Sequence, residues 1–178
     1  MFKHLNSFTK FLILTSLCLF LAACQTTGLK PGSIQTNFPP QGWQTVTKGS
    51  DTLYLCRTCK TKQAVVITPA EVSGNVEGAI RANIISAGLI SEIGKSASRA
   101  SGGALKQISS RRITNANYSG IEWVFRVQAR GEKPLYVAAR AIVQNDRGIT
   151  VASFAYSSSI AKSNLRRYLA NTTIRRLP

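Results

Sequence analysis

Residues 121–130 read Ile-Glu-Trp-Val-Phe-Arg-Val-Gln-Ala-Arg, and this stretch decides the fold. Apolar and polar side chains alternate along it, which is typical of a β-strand with one buried face. The opposite face is then expected to be polar. The alternation assigns the apolar residues to the buried face: Ile121, Trp123, Phe125, Val127 and Ala129.

Two more strands are predicted downstream, at residues 134–144 and 148–156, so that 110–156 forms an antiparallel meander. Its polar face would display Arg126, Arg130 and Arg140 together, because neighbouring strands lie about 4.8 Å apart and side chains two residues apart share a face. These arginines are the candidate anion-binding patch. The alternative is a solvated sheet face with scattered positive charges.

Upstream of the meander, short strands are predicted at residues 44–48, 52–56 and 62–68. Pro69-Ala-Glu71 then has the proline and acid that favour a helix start. The predicted helix carries an apolar stripe ending at Gly88 as a C-cap. The stripe consists of Val72, Val76, Ile80, Ile84 and Ala87.

Residues 89–107 are harder to interpret. Their apolar spacing suits a second helix, but glycines and serines weaken it, and the alternatives are a loosely packed helix or a mobile loop. As an amphipathic segment with Lys95, Arg99 and Lys106, it would touch lipid headgroups. A last helix is expected from Ser158 or Ser159. The order predicts an α+β domain over residues 43–178, an antiparallel meander packed with two or three helices.

The first residues of the chain have the features of a secretion signal. Residues 1–10 contain Lys3 and Lys10 and no acidic residue, and residues 11–23 form an apolar run. This run of about a dozen residues is too short to span a bilayer. Leu21-Ala-Ala-Cys24 closely resembles the lipobox of bacterial lipoproteins. The resemblance implies that residues 1–23 are removed and that Cys24 carries acyl chains such as palmitate. The alternative is an ordinary signal peptide with Cys24 incidental.

The lipoprotein resemblance places the mature protein in the cell envelope, anchored to membrane lipid through its acyl chains. Gln25, rather than an aspartate, resembles the pattern of lipoproteins sent to the outer membrane. Residues 24–42 mix small and polar residues with Pro31, Pro39 and Pro40, which predicts a flexible tether.

The net positive charge of the chain indicates which partners the protein is expected to bind. The full chain has a formal charge of +16, and removing Lys3 and Lys10 with the leader leaves 21 basic and 7 acidic residues, a charge of +14. Such a bias attracts polyanions, which in the envelope are lipopolysaccharide, anionic lipids, peptidoglycan or acidic proteins. The alternative is that the charge only keeps the protein soluble or near its own membrane. Nucleic acid is disfavoured by the compartment and by the lack of a nucleic-acid module.

The residue inventory argues against catalysis. The single histidine, His4, lies in the leader, so the mature chain lacks the commonest general base and zinc ligand. The seven carboxylates are scattered singly. We therefore expect a protein that is not an enzyme and that holds no metal and no cofactor.

Cys56 and Cys59 are the remaining cysteine pair, and in an oxidising compartment they predict a disulfide. Arg57 and Thr58 would form the turn of a hairpin that this bond closes. A thiol-disulfide role is the alternative, and zinc is a distant third because two cysteines supply half a site.

The order of elements resembles PsbP of photosystem II and its bacterial relatives. The resemblance rests on an N-terminal hairpin, a helix after the third strand, the meander over 108–156 and a closing helix that ends in Asn171-Thr-Thr-Ile174. It implies an accessory or assembly role. The sequence thus predicts a membrane-anchored accessory protein that binds an anionic envelope component or a protein. The alternatives are a scaffold subunit of an envelope secretion or cell-wall machine, and a thiol-disulfide protein.

Overall fold

The strands predicted from the alternation form the middle of a seven-stranded antiparallel sheet. A computed structural model describes residues 28–178, so the predicted signal peptide and Cys24 lie outside the described residues. The sheet order is β2-β3-β4-β8-β7-β6-β5, and β1 pairs with β9 in a separate two-stranded sheet. The elements are β1 (Ile34–Thr36), β2 (Trp43–Lys48), β3 (Asp51–Cys56), β4 (Gln63–Glu71), α1 (Val76–Arg81), α2 (Ala87–Ala100), β5 (Leu105–Thr114), β6 (Ser119–Val127), β7 (Leu135–Gln144), β8 (Arg147–Ala155), α3 (Ser158–Ala170) and β9 (Thr172–Ile174).

This arrangement confirms the predicted α+β class, the meander and the closing helix. None of the helices in residues 28–178 is long and apolar enough to cross a membrane. The three short strands before the meander are also confirmed, the third being longer than predicted.

The main core lies between the sheet and α3. Val65, Ala138 and Val151 on the strands are fully buried, and Leu165 and Tyr168 of α3 pack onto them. Strands β4 and β6 to β8 all contact this helix. We call this side of the sheet the α3 face, and the other side the open face.

The face predicted for β6 was wrong. The deeply buried residue is Val124, 4% exposed, which faces α3, whereas Ile121, Trp123 and Phe125 lie half-buried on the open face. Apolar residues occupy both faces of these strands, and Glu122 on the α3 face is paired with Arg140 rather than solvated. Alternation therefore located the strand, but the helix cover decided which face became the core.

The predicted tether is also corrected in its described part. Residues 28–42 pack against the domain: Leu29 and Ile34 contact the core, and Phe38 is 5% exposed within it. Phe38 meets Tyr54 and Tyr168 edge-on, with ring centroids 5.0 and 5.5 Å apart. The buried aromatic ring outweighs the turn-rich composition around it.

The helix predicted to start at Pro69 begins later. Pro69 and Glu71 still belong to β4 and pair with β8, while β3 reaches only Ile67, so the proline lies where β4 has one neighbour. Asn75 caps α1, its Oδ1 accepting from the Gly78 N–H at 2.9 Å. Asn83, at φ 61°, follows the end of α1, which divides the predicted stripe.

Residues 87–100 form a regular helix, one of the alternatives left open for residues 89–107, whereas residues 105–107 belong to β5. The Ser86 hydroxyl accepts from the Leu89 N–H at 3.2 Å and caps it. Gly88, predicted as a C-cap, instead lies in the first turn of α2. Gly94 is buried against β5, and a Cβ there would collide with the Gln107 side chain. The glycine that weakened the prediction thus allows close packing of α2 on β5.

Candidate functional site

A basic groove runs between α3 and the outer strands of the α3 face. It is a cavity of about 200 Å³ lined by Arg111 of β5, Glu122 of β6, and Lys162 and Arg166 of α3, over a floor that includes Val124. We call these four charged residues, with Arg140 beside Glu122, the basic groove. One carboxylate therefore faces four cations.

Strand register explains how Glu122 is held. Arg111, Glu122 and Arg140 are direct neighbours on β5, β6 and β7, so the carboxylate lies between two guanidinium groups. Its Oε1 accepts from Arg111 Nε at 2.8 Å, and its Oε2 accepts from Arg140 Nε at 2.9 Å. The side chains of Glu122 and Arg140 are only 15% and 12% exposed. The pair is a rigid floor rather than a mobile surface contact.

Lys162 and Arg166 carry the positive charges of the basic groove that are not paired with Glu122. They are one helical turn apart on α3 and both are exposed. Within residues 28–178 neither forms an ion pair. With Glu122 already shared by two arginines, these side chains are free to bind a phosphate or carboxylate group.

The structure does not bring the three predicted arginines into one cluster. Arg126 shares the α3 face with Arg140 but lies four residues after Glu122, the strand partner of Arg140, which is about 13 Å along β6. Its side chain hydrogen bonds to Gln128. Arg130 is exposed in the loop after β6. Arg140 belongs to the basic groove through its pairing with Glu122.

The residues that the sequence did not indicate are Arg111, Lys162 and Arg166. The four-residue spacing of Lys162 and Arg166 on a predicted helix was the available signal. Arg111 becomes a neighbour of Glu122 only through the register of β5 and β6, which the turn at residues 115–118 sets.

A second charged cluster joins α1 to the sheet. Glu77 is 4% exposed, accepts from Arg81 Nη2 at 2.9 Å and from the Asn145 N–H at 2.6 Å, and also pairs with Arg176. Burial alone would raise the pKa of Glu77, but the hydrogen bonds from Arg176, Asn145 and Arg81 outweigh it and lower the pKa to about 2. The cluster is structural, since its charges are matched within the fold.

The disulfide lies at the end of the sheet away from this cluster. Cys56 ends β3 and Cys59 lies in the following loop, with their Cα atoms 5.6 Å apart. The bond closes a β3–β4 hairpin as predicted, and no helix begins at Cys56. A cavity of about 360 Å³ adjoins it on the open face, lined mainly by apolar side chains that include Leu55, Leu135 and Phe154.

Within residues 28–178, no three histidine, cysteine, aspartate or glutamate residues are grouped closely enough to hold a metal ion.

No protein-family model matches the chain, and no curated protein matches it. Solved structures do match. LpqN of Mycobacterium tuberculosis, which is involved in cell envelope biogenesis, has a TM-score of 0.53 at 13% identity, over 82% of this chain and 86% of that one. At this identity the likeness shows a shared fold.

Two further structures score below 0.5. Cyanobacterial PsbP, CyanoP, from Synechocystis sp. PCC 6803 gives 0.45 at 16% identity, over 86% of this chain and 98% of that one. The protein of unknown function PA94 from Pseudomonas aeruginosa gives 0.49 at 13% identity, covering 79% of this chain and 90% of that one. CyanoP belongs to the proteins that the element order resembles, but a score of this size carries no further argument.

Proposed function

We propose that this protein is a lipid-anchored accessory protein of the bacterial cell envelope that binds an anionic component through the basic groove. The observation that carries the proposal is the pair Lys162 and Arg166, without ion-pair partners in residues 28–178, above a carboxylate already held by two arginines. The groove therefore presents net positive charge in a concave setting, where the local field is stronger than on a flat surface.

The anchor is supported by the sequence Leu21-Ala-Ala-Cys24 and its polar continuation. Two or more acyl chains on Cys24 would give stable attachment, since each buried methylene contributes about 0.8 kcal/mol. Gln25 favours the outer membrane. Partners available there include lipopolysaccharide phosphates and peptidoglycan carboxylates, both of which suit lysine and arginine donors.

The proposal assigns binding rather than catalysis. The mature chain has no histidine, and both oxygens of Glu122, the carboxylate of the basic groove, accept hydrogen bonds from Arg111 and Arg140. LpqN, whose fold is similar, takes part in cell envelope biogenesis, which accords with the proposed compartment.

The test is binding of the purified lipidated protein to lipopolysaccharide, peptidoglycan and anionic vesicles at low and high salt. The variant Lys162→Ala/Arg166→Ala should lose about tenfold or more in affinity for one of these ligands, at about 1 kcal/mol for each cation removed. High salt should weaken binding of the unmodified protein.

The matched control is Arg130→Ala/Lys133→Ala, which removes the same charge from the exposed β6–β7 loop. It should change affinity little. Equal losses in both variants would show that only net charge matters, and salt-insensitive binding or none would overturn the proposal. Mass spectrometry of the mature N-terminus tests the anchor separately.

A further inference from the structure

Three large apolar side chains are exposed around the start of α2. Ile84 is 71% exposed, Leu89 47% and Ile93 59%. Leu89 and Ile93 are four residues apart on one side of the helix, whereas Ile90 and Gly94 are buried against the sheet. We call Ile84, Leu89 and Ile93 the α2 ridge. A concentration of exposed apolar side chains indicates a contact surface.

Positive charge lies on α2 and in the groove between α2 and β5, which Lys95 and Lys106 line. Arg99 and Lys106 have no carboxylate partner among residues 28–178, and Lys95 pairs with Glu92 at 2.7 Å in a contact where both side chains are about 60% exposed. Such an exposed pair is weak and gives way readily. Apolar residues beside lysine and arginine suit an anionic bilayer surface. The apolar side chains enter the headgroup region, and the lysine and arginine side chains contact lipid phosphates.

The folded domain begins very close to Cys24. Gly28 packs beside Pro69 of β4 and is four positions after Cys24. A separation of four positions spans at most about 14 Å. If Cys24 is acylated, the domain therefore lies against the membrane rather than at the end of a long tether.

The α2 ridge begins at the same end of the sheet as Gly28. Arg112 donates to the Ile80 carbonyl at 3.1 Å and to Asn83 Oδ1 at 2.6 Å, which places Ile84 beside the end of β5. Pro69, which Gly28 contacts, and Ile113, the neighbour of Arg112, belong to one row of paired residues across five strands, which also contains Ile149, Ile142 and Gly120. Four strand spacings, or about 19 Å, separate Pro69 from Ile113.

We propose that the α2 ridge inserts into the headgroup region of the anionic membrane that holds the acyl chains of Cys24, with Arg99 and Lys106 on lipid phosphates. This inference rests on the proposed lipid anchor. Two contacts at one end of the sheet fix the orientation of the domain, and the basic groove lies on the α3 face, opposite the α2 ridge.

The test uses the full lipidated protein in vesicles of phosphatidylcholine with phosphatidylglycerol, and a fluorophore on the added thiol of Ser96→Cys, beside the α2 ridge. Spin-labelled lipids should quench this fluorophore strongly. A fluorophore on Ser159→Cys, at the start of α3, should be quenched little. Replacing phosphatidylglycerol by phosphatidylcholine should reduce quenching at residue 96.

The variant Ile84→Ser/Leu89→Ser/Ile93→Ser should lose most of the quenching at residue 96. Val46→Ser/Tyr156→Ser, which changes two other exposed apolar residues, should keep it. Circular dichroism checks that both variants fold.

The outcomes separate the two proposals. Acylated protein with an unquenched label at residue 96 overturns the α2 ridge contact and leaves the anchor standing, as does crosslinking of that label to a protein instead of lipid. A mature N-terminus without acyl chains removes the anchor, and the orientation inferred from it falls as well.

Discussion

The two faces of the sheet are built from the same strands but are covered differently. On the α3 face, α3 seals Val65, Ala138 and Val151 from solvent. On the open face, α1 packs on β5 to β7 and α2 on β5, so side chains such as Phe125 and Phe154 stay partly exposed. Apolar residues alone therefore do not make a core. A covering helix does, and the uncovered side retains surface for contacts.

The largest expected effect on stability comes from comparing alanine substitutions of two phenylalanines, one on each side of the sheet. Phe38→Ala should destabilise the protein by about 3–5 kcal/mol, because its ring is buried among Trp43, Tyr54 and Tyr168. Phe154→Ala on the open face should cost about 1 kcal/mol, since its partly exposed site leaves little cavity. Urea unfolding measures both, and equal losses would show that the open face is as tightly packed as the α3 face.

A second contrast is between helices held by apolar packing and by charge. Glu77 holds α1, and its pKa is lowered from 4.5 to about 2. Because the folded-state pKa is depressed, this stabilisation is present above pH 4.5 and is lost as the pH falls toward 2. The full effect is about 3 kcal/mol.

Urea unfolding at several pH values tests this contribution. Glu77→Gln should be less stable than the unmodified protein at pH 7, and the difference should shrink toward pH 2. Glu132→Gln, an exposed control, should keep the pH dependence of the unmodified protein. A constant difference at every pH would mean that Glu77 acts through packing or neutral hydrogen bonds.

The sequence predicted elements better than it predicted their environment. The alternation at residues 121–130 located β6, yet Val124 rather than Trp123 faces the core, since both sides of the strand are apolar. Of the three arginines predicted to form an anion-binding patch, only Arg140 belongs to the basic groove, and Arg111 joins it through the pairing of β5 with β6. Such long-range pairings leave no local signal in a single sequence.

Residues 28–42 are a second case in which the sequence did not reveal a tertiary contact. Pro39, Pro40 and small polar residues around them predict an extended tether, but one aromatic residue, Phe38, finds a buried site among rings from β3 and α3. Composition described the backbone of this segment correctly as irregular over much of its length. It carried no information about the tertiary contact that fixes it.

Buried charge on the α3 face provides the next prediction. Glu122→Gln should destabilise the protein by about 2 kcal/mol, because Arg140 would lose its compensating charge at a site where its side chain is 12% exposed. The same change should strengthen anion binding, as it removes the carboxylate of the basic groove. Glu92→Gln, in an exposed pair, should leave the urea midpoint unchanged. Weaker anion binding in Glu122→Gln would show that the carboxylate orients the arginines for the ligand.

The disulfide should have the smallest effect. The bond joins cysteines three positions apart, so Cys56→Ser/Cys59→Ser should cost about 2 kcal/mol at most in urea unfolding. Cys56 is the strand partner of Trp43, which packs on Phe38 with ring centroids 5.3 Å apart. A much larger loss would mean that the bond also holds this aromatic contact in place. The reduction potential distinguishes structure from chemistry: a value below about −300 mV marks a structural bond, whereas a value near those of thiol-disulfide enzymes would favour a redox role at the edge of the open face.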